Sequence, residues 1–213
     1  MFTKTTGVAL LVLGALILLT VSGEAPNRSF QGDPARITID AGHGGYDSGA
    51  ISGGVLEKQI NLRIAREVEK LGDKHPELKF ALTRKKDNYL PLLDRLEFAE
   101  QNRSTAYLSI QANSFWDQDV HGVETILDKT RARGSPSWNI GTSIQKSIVD
   151  WTGARDRGIR YQKLYTRYTE IPSALVEVGF LTSPMERNKL ANPHYQERVA
   201  RGIVQGLLLH FST

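Results

Sequence analysis

From Arg36 onward the chain alternates short β-branched runs with stretches whose apolar residues recur at helical spacing, a pattern that points to an α/β sheet. Ile37-Thr38-Ile39-Asp40 reads as a strand, and Leu56, Ile60, Ile64, Val68 and Leu71 line one face of a helix, so the two form a βα unit. Phe80 to Thr83 predicts the next strand, Leu92 to Gln101 a helix, Ala106 to Ala112 (AYLSIQA) a buried strand and Gly122 to Leu127 another. Trp138 to Trp151 and Tyr195 to Phe211 read as amphipathic helices, with Ser173 to Val178 (SALVEV) as a strand between them. The expected fold is a single α/β domain over residues 36–213, a three-layer sandwich with a mainly parallel sheet flanked by helices.

Ahead of that domain, Lys4 precedes a run from Gly7 to Gly23 that carries no charge. Residues 1–23 therefore read as a signal peptide or a membrane anchor, and residues 24–35, with Pro26 and Pro34, as a linker. The expected location is the cell envelope, with the chain exported and either secreted or held at the membrane by its N-terminal segment. The sequence holds no cysteine, which excludes thiolate zinc sites, a catalytic thiol and a lipidated anchor. Any metal must then be held by His, carboxylate or amide. The 27 Lys+Arg against 23 Asp+Glu leave a net charge of +4, too mild for a nucleic-acid binder, and no aromatic stacking motif accompanies it. The sequence shows neither an internal repeat nor a second domain, so localisation is expected to come from the N-terminal segment or a partner; the expected state is a monomer.

In open α/β sheets ligands collect at the carboxyl ends of strands, so the polar residues that follow each strand carry the chemistry. His43 lies in AGHGGYDSG directly after the first strand, where Gly42, Gly44 and Gly45 let the backbone turn tightly. Glu57 falls in the first turn of the next helix, Gln111 ends the AYLSIQA strand and Glu177 ends SALVEVGF among apolar neighbours. Burial there tends to raise a carboxyl's pKa toward a general base's working range. Taken singly, each has an ordinary role: a glycine-loop histidine, a helix-dipole carboxylate, a core amide and a strand-end ion pair. Taken together, an imidazole, a carboxylate and a further carboxylate from a later strand end are what a hydrolytic zinc site requires.

The segments AGHGGYDSG, LEKQINLRIA, LTRKKD, LLDRLEFAEQN, YLSIQANS, GVET, RDRGI and SALVEVGFLTSPMERNKL resemble the zinc-dependent N-acetylmuramoyl-L-alanine amidases of the bacterial cell wall, the amidase 3 class. The resemblance runs from about Ile37 to Phe211. It implies a peptidoglycan hydrolase that cleaves between N-acetylmuramic acid and L-alanine, with one zinc ion bound by His43 and Glu57 and with Glu177 as catalytic base. The family's third ligand is a His in the pattern S-I-H-A-N-S, and here Ser109-Ile110-Gln111-Ala112-Asn113-Ser114 offers an amide instead. An amide oxygen is a poor zinc donor beside imidazole nitrogen. Gln111 is then a weak or water-bridged ligand, or zinc binds with help from substrate or a protein activator, or the chain is an impaired relative that binds peptidoglycan or regulates another hydrolase.

His121 would need a remodelled strand end to substitute, while His75, His194 and His210 read as surface or helix-end residues. Arg84 and Arg95 read either as framework ion-pair residues or as contacts for stem-peptide carboxylates, and Asn113 as a residue that orients a ligand or meets substrate, or else as part of an ordinary strand-end turn. Division amidases of this family carry a long autoinhibitory insertion after the strand matching Gly122 to Leu127. Asp128 to Pro136 reaches the next helix without room for one.

Overall fold

The computed structural model describes residue 1 and residues 32–211. The expected signal or anchor segment and most of the expected linker lie outside the described residues, among which no helix is long and apolar enough to cross a membrane. In chain order the elements are β1 (Ala35–Ala41), the short hairpin strands β2 (Ile51–Ser52) and β3 (Val55–Leu56), α1 (Glu57–Gly72), β4 (Leu78–Leu82), α2 (Leu92–Gln101) and β5 (Ala106–Asn113). Then come β6 (Val123–Asp128), α3 (Pro136–Thr152), β7 (Asp156–Gln162), a 3-10 turn (Tyr165–Tyr168), β8 (Ser173–Phe180), α4 (Pro184–Ala191) and α5 (Pro193–Phe211).

Six strands form one sheet in the order β4-β1-β5-β8-β6-β7. Every pairing is parallel except β6 with β8. The mainly parallel three-layer sandwich expected from the sequence is the fold observed. Its two helical layers are unequal, however. Ile37 and Ile39 of β1, Ile110 of β5 and Val176 of β8 bury against Ile64 of α1, Ile144 of α3 and Ile203 of α5 in one extended core. On the other face Leu96 and Ala99 of α2 close over Tyr107 in a much smaller cluster. Strand alternation puts Ser109 and Gln111 on the Tyr107 side, so the thinly covered face becomes polar toward the carboxyl end of β5.

The helix layer depends on close backbone approach. A Cβ on Gly202 would sit 2.6 Å from Ile148 Cα, and one on Gly206 2.6 Å from Ile144 Cα, so glycines one turn apart let α5 lie against α3. Gly202→Ala is therefore expected to destabilise the domain by about 1–3 kcal/mol, the cost of overpacking a close-packed core, as read from urea unfolding midpoints.

Several elements escaped sequence reading. β7 (DRGIRYQ) has no apolar alternation because it is an edge strand supported by β6 alone. The hairpin of β2 and β3 turns on Gly53-Gly54, a two-residue turn signal hidden by the shortness of its strands. α4 begins with the Ser183-Pro184 start signal but spans only 8 residues.

Candidate active site

The loop after β1 carries His43 at φ 60°, a left-handed conformation that a residue with a Cβ adopts only when its surroundings hold it there. Arg95 supplies that hold. Its Nη2 donates to the His43 carbonyl at 3.0 Å and its Nη1 to the Ala41 carbonyl at 3.0 Å. Nη1 also bonds Asp40 Oδ1 at 2.8 Å, and both side chains are buried. Asp40 Oδ2 accepts from Ser109 Oγ at 2.8 Å, and its Oδ1 also accepts from Thr83 Oγ1 at 2.7 Å. A buried polar network thus ties β1, β5 and α2 to the histidine loop.

The imidazole is oriented at both nitrogens. Nδ1 bonds Asp47 Oδ2 at 2.9 Å, and Nε2 lies 3.2 Å from Glu57 Oε1. Glu57 is fixed in turn: its Oε2 accepts from Ala50 N–H at 2.8 Å, and its Oε1 from Ala112 N–H at 3.0 Å. The register of β5 against β8 shifts between Gln111 and Asn113, which turns the intervening amide toward this carboxylate. Gly49 allows the close approach, since a Cβ there would fall 2.5 Å from Glu57 Oε2 and 2.6 Å from His43 Cδ2. Burial pulls the His43 pKa down, but the hydrogen bonds and charges of Glu57 and Asp47 outweigh it and leave the pKa raised.

That geometry is a test of metal fit. With Asp47 accepting the Nδ1 proton, Nε2 faces a carboxylate oxygen, and the pair requires a positive charge beside it. A proton supplies that charge in acid, and a divalent cation can take its place. His43 and Glu57 therefore fit a metal as two strong donors. Among the described residues no set of three His, Cys, Asp or Glu side chains could hold one. Gln111, the expected third ligand, lies beside this pair. Its Oε1 shares the Asn61 Nδ2 donor with Glu57 Oε1, each at 3.4 Å, while its Nε2 donates to Ser109 Oγ at 3.0 Å. Gly42 makes room for it, as a Cβ there would lie 2.1 Å from Gln111 Nε2.

Glu177 sits between the two neighbouring strands of β8, paired in register with Gln111 on β5 and with Glu124 on β6. Its Oε2 is buried without a hydrogen-bond partner. Burial, then the charges of Glu57 and Glu124, push its pKa well above the ordinary carboxylate range. Glu124 is itself pinned, with Oε1 accepting from Asn113 Nδ2 at 3.0 Å and Oε2 from Arg157 Nε at 2.7 Å.

The four residues singled out from the sequence, His43, Glu57, Gln111 and Glu177, thus end at one strand-end site. Asn113 reaches Glu124 rather than His43 or Glu57. Arg84 and Arg95 correct the substrate-contact alternative: both are buried, and Arg84 directs its donors to the carbonyls of Ala41, Gly42, Lys58 and Lys86 while Arg95 serves Asp40, Ala41, His43 and Leu90. His121 lies in the loop before β6, its Nδ1 against the Asp119 carbonyl. Sequence reading missed Asp47, Asn61 and Glu124. Each had a signal: a carboxylate four residues after the histidine, an Asn one helical turn after Glu57 and a second Glu in an apolar strand.

Residues 37–208 match the family model of the N-acetylmuramoyl-L-alanine amidases. The amidase LytC of Bacillus subtilis is 34% identical over 176 residues, which cover 82% of this chain and 35% of LytC. An N-acetylmuramoyl-L-alanine amidase from Clostridium difficile 630 superposes with a TM-score of 0.81 at 32% identity, covering 85% of this chain and 99% of that one. The CwlD amidase from Clostridioides difficile, solved in complex with the GerS lipoprotein, gives a TM-score of 0.72 at 27% identity, with 84% and 98% covered. Fold and extent of match agree, and the chain belongs to the N-acetylmuramoyl-L-alanine amidase family.

Proposed function

We propose that this chain carries out its family's reaction, hydrolysis of the amide between N-acetylmuramic acid and the L-alanine of the peptidoglycan stem, with Glu177 as base and a zinc ion held by His43 and Glu57. The observation that carries this reading is Glu177 Oε2, buried and unpartnered within a cluster that holds an Asp47-oriented histidine. A zinc ion, when bound, polarises a carbonyl and acidifies water. Asp47 keeps the Nδ1 proton of His43 in place, so that Nε2 presents its lone pair beside Glu57. Glu177 takes a proton from the attacking water at Oε2 and returns it to the leaving nitrogen of L-alanine. Its proton affinity is raised above that of an ordinary carboxylate by burial and by Glu57 and Glu124, the last held in place by Asn113 and Arg157.

Gln111 favours a second reading, a peptidoglycan-binding relative of weak metal affinity that regulates another hydrolase. Its amide is a poor zinc donor and is already engaged with Ser109 and Asn61. Gln111→His is expected to raise zinc affinity about 10-fold or more, the scale on which even outer-shell changes register. Zinc is measured by competition with a chelator, and new L-alanine amino termini are counted on sacculi, for wild type and variant in parallel. Activity at limiting zinc rises with affinity if the chain is an amidase. A gain of metal without turnover identifies the regulator, and unchanged affinity means that Gln111 does not serve the metal.

Export follows from the same reading, because the proposed substrate lies in the cell wall and Gly7 to Gly23 supplies an uncharged leader or anchor. The solved pairing of CwlD with the GerS lipoprotein supports a protein as a further partner.

A further inference from the structure

Two exposed aromatic pairs flank the strand-end site, and neither has a part in the hydrolytic chemistry. Tyr46 and Tyr89 stack with centroids 4.3 Å apart and planes at 29°. Phe115 and Trp116 lie 5.5 Å apart at 36°. Trp116 is 85% exposed and Tyr46 82%, and each is paired with a second ring rather than standing singly on the surface.

Both pairs are anchored to the site. Tyr46 adjoins Asp47, the partner of His43, and its loop is tied down where Gly45 N–H donates to Asp87 Oδ1 at 2.8 Å and Lys58 Nζ bridges Gly45 O and Asp87 Oδ2 at 2.6 and 2.8 Å. Phe115 comes three residues after Ala112, whose amide holds Glu57, and its own N–H donates to Thr182 Oγ1 at 3.0 Å, just past the end of β8. Tyr89 follows β4, while the Phe115–Trp116 loop leaves β5 and is fastened beyond β8. Along the sheet order β4-β1-β5-β8 the Tyr46–Tyr89 pair thus stands on the loops that follow β1 and β4, and the Phe115–Trp116 pair on the loop that follows β5 and is fastened beyond β8, with His43, Gln111 and Glu177 at the ends of β1, β5 and β8.

We propose that these pairs are sugar-stacking subsites that hold the glycan strand on either side of the scissile amide. The inference rests on the amidase reading above, in which the bond to be cut joins the peptide directly to a sugar, so that a glycan must lie along the mouth of the site. The apolar faces of pyranose rings stack on aromatic planes, and rigid exposed rings give that contact with little ordering cost. At the Phe115–Trp116 pair, local charge separates this occupant from a lipid surface: Asp117 and Asp119 follow Trp116 in its loop, whereas an anionic membrane selects Lys and Arg beside inserted aromatics.

The test uses the full chain with soluble peptide-free glycan strands, anionic phospholipid vesicles and free stem peptide as separate probes. Wild type is expected to bind the glycan strands. Trp116→Ala and Tyr46→Ala are each expected to weaken that binding about fivefold to tenfold, the worth of one aromatic stacking partner, and to raise KM on sacculi by a similar factor with kcat unchanged. Both side chains project into solvent, and circular dichroism checks that the variants stay folded. Absence of glycan binding by wild type, unchanged glycan affinity in both variants, or a loss confined to vesicles or stem peptide overturns the proposal. Glycan binding that needs Trp116 in a chain that releases no L-alanine termini overturns the amidase reading instead and leaves the subsites standing.

Discussion

Glu177→Gln is expected to lower turnover on sacculi by at least about 10²-fold, the contribution of one positioned general base, while leaving zinc affinity within a small factor of wild type. Glutamine keeps the shape of the side chain and removes its capacity to accept and return a proton. A separate thermal signature checks the assignment. In the metal-free fold the Glu177 pKa is raised above its unfolded value, first by burial and then by Glu57 and Glu124, so its protonated form is the one the fold favours. The stability it contributes is fully present below the unfolded carboxyl pKa and is lost as pH rises through the folded value. Glutamine is neutral throughout. The melting temperature of metal-free Glu177→Gln should therefore match wild type near pH 4 and exceed it at pH 8, a gain of stability with a loss of function. Turnover at the wild-type level would refute the base assignment, and a variant less stable at pH 8 would refute the burial argument.

Asp40→Ala is expected to carry the largest stability cost in the molecule, about 3–5 kcal/mol, because it leaves the Arg95 guanidinium buried beside no countercharge. At roughly 2–4 °C per kcal/mol for a domain of this size, the melting temperature should fall by about 6–20 °C. The loss is not confined to one ion pair. Thr83, Ser109 and Tyr165 also donate to Asp40, so their hydroxyls lose an acceptor together. Arg95 also holds the carbonyl of His43 in its left-handed turn, and zinc affinity is expected to fall with stability. Thermal denaturation and chelator competition on the same preparation separate the two effects. A variant with wild-type melting temperature would mean that the network does not carry the load assigned to it.

Much of this site was legible because its residues stand at the ends of strands whose own patterns are strong. Ile37 to Asp40, Ala106 to Ala112 and Ser173 to Val178 are apolar runs that remain strands in almost any α/β context, so His43, Gln111 and Glu177 could be assigned to one sheet edge before any pairing was known. Glu57 was legible for a similar reason, as the first residue of a helix with clear apolar spacing. Arg84 and Arg95 show the limit. A basic residue on a loop or helix offers the same sequence signal whether it meets a substrate carboxylate or caps backbone carbonyls from inside, and only burial decides.

The sequence by itself determined the alternation of elements, the parallel character of most of the sheet and the candidate chemical groups, because each depends on local periodicity or on a short motif. Tertiary structure alone decided that β6 runs antiparallel to β8, which sets Glu124 beside Glu177, and that β7 forms an edge. It also decided that Asp47 rather than a distant residue orients His43, and that two aromatic pairs border the site. These are matters of strand register, burial and loop packing between residues far apart in the chain. Period and propensity record how a residue relates to its near neighbours, and carry no term for which strand will lie beside it.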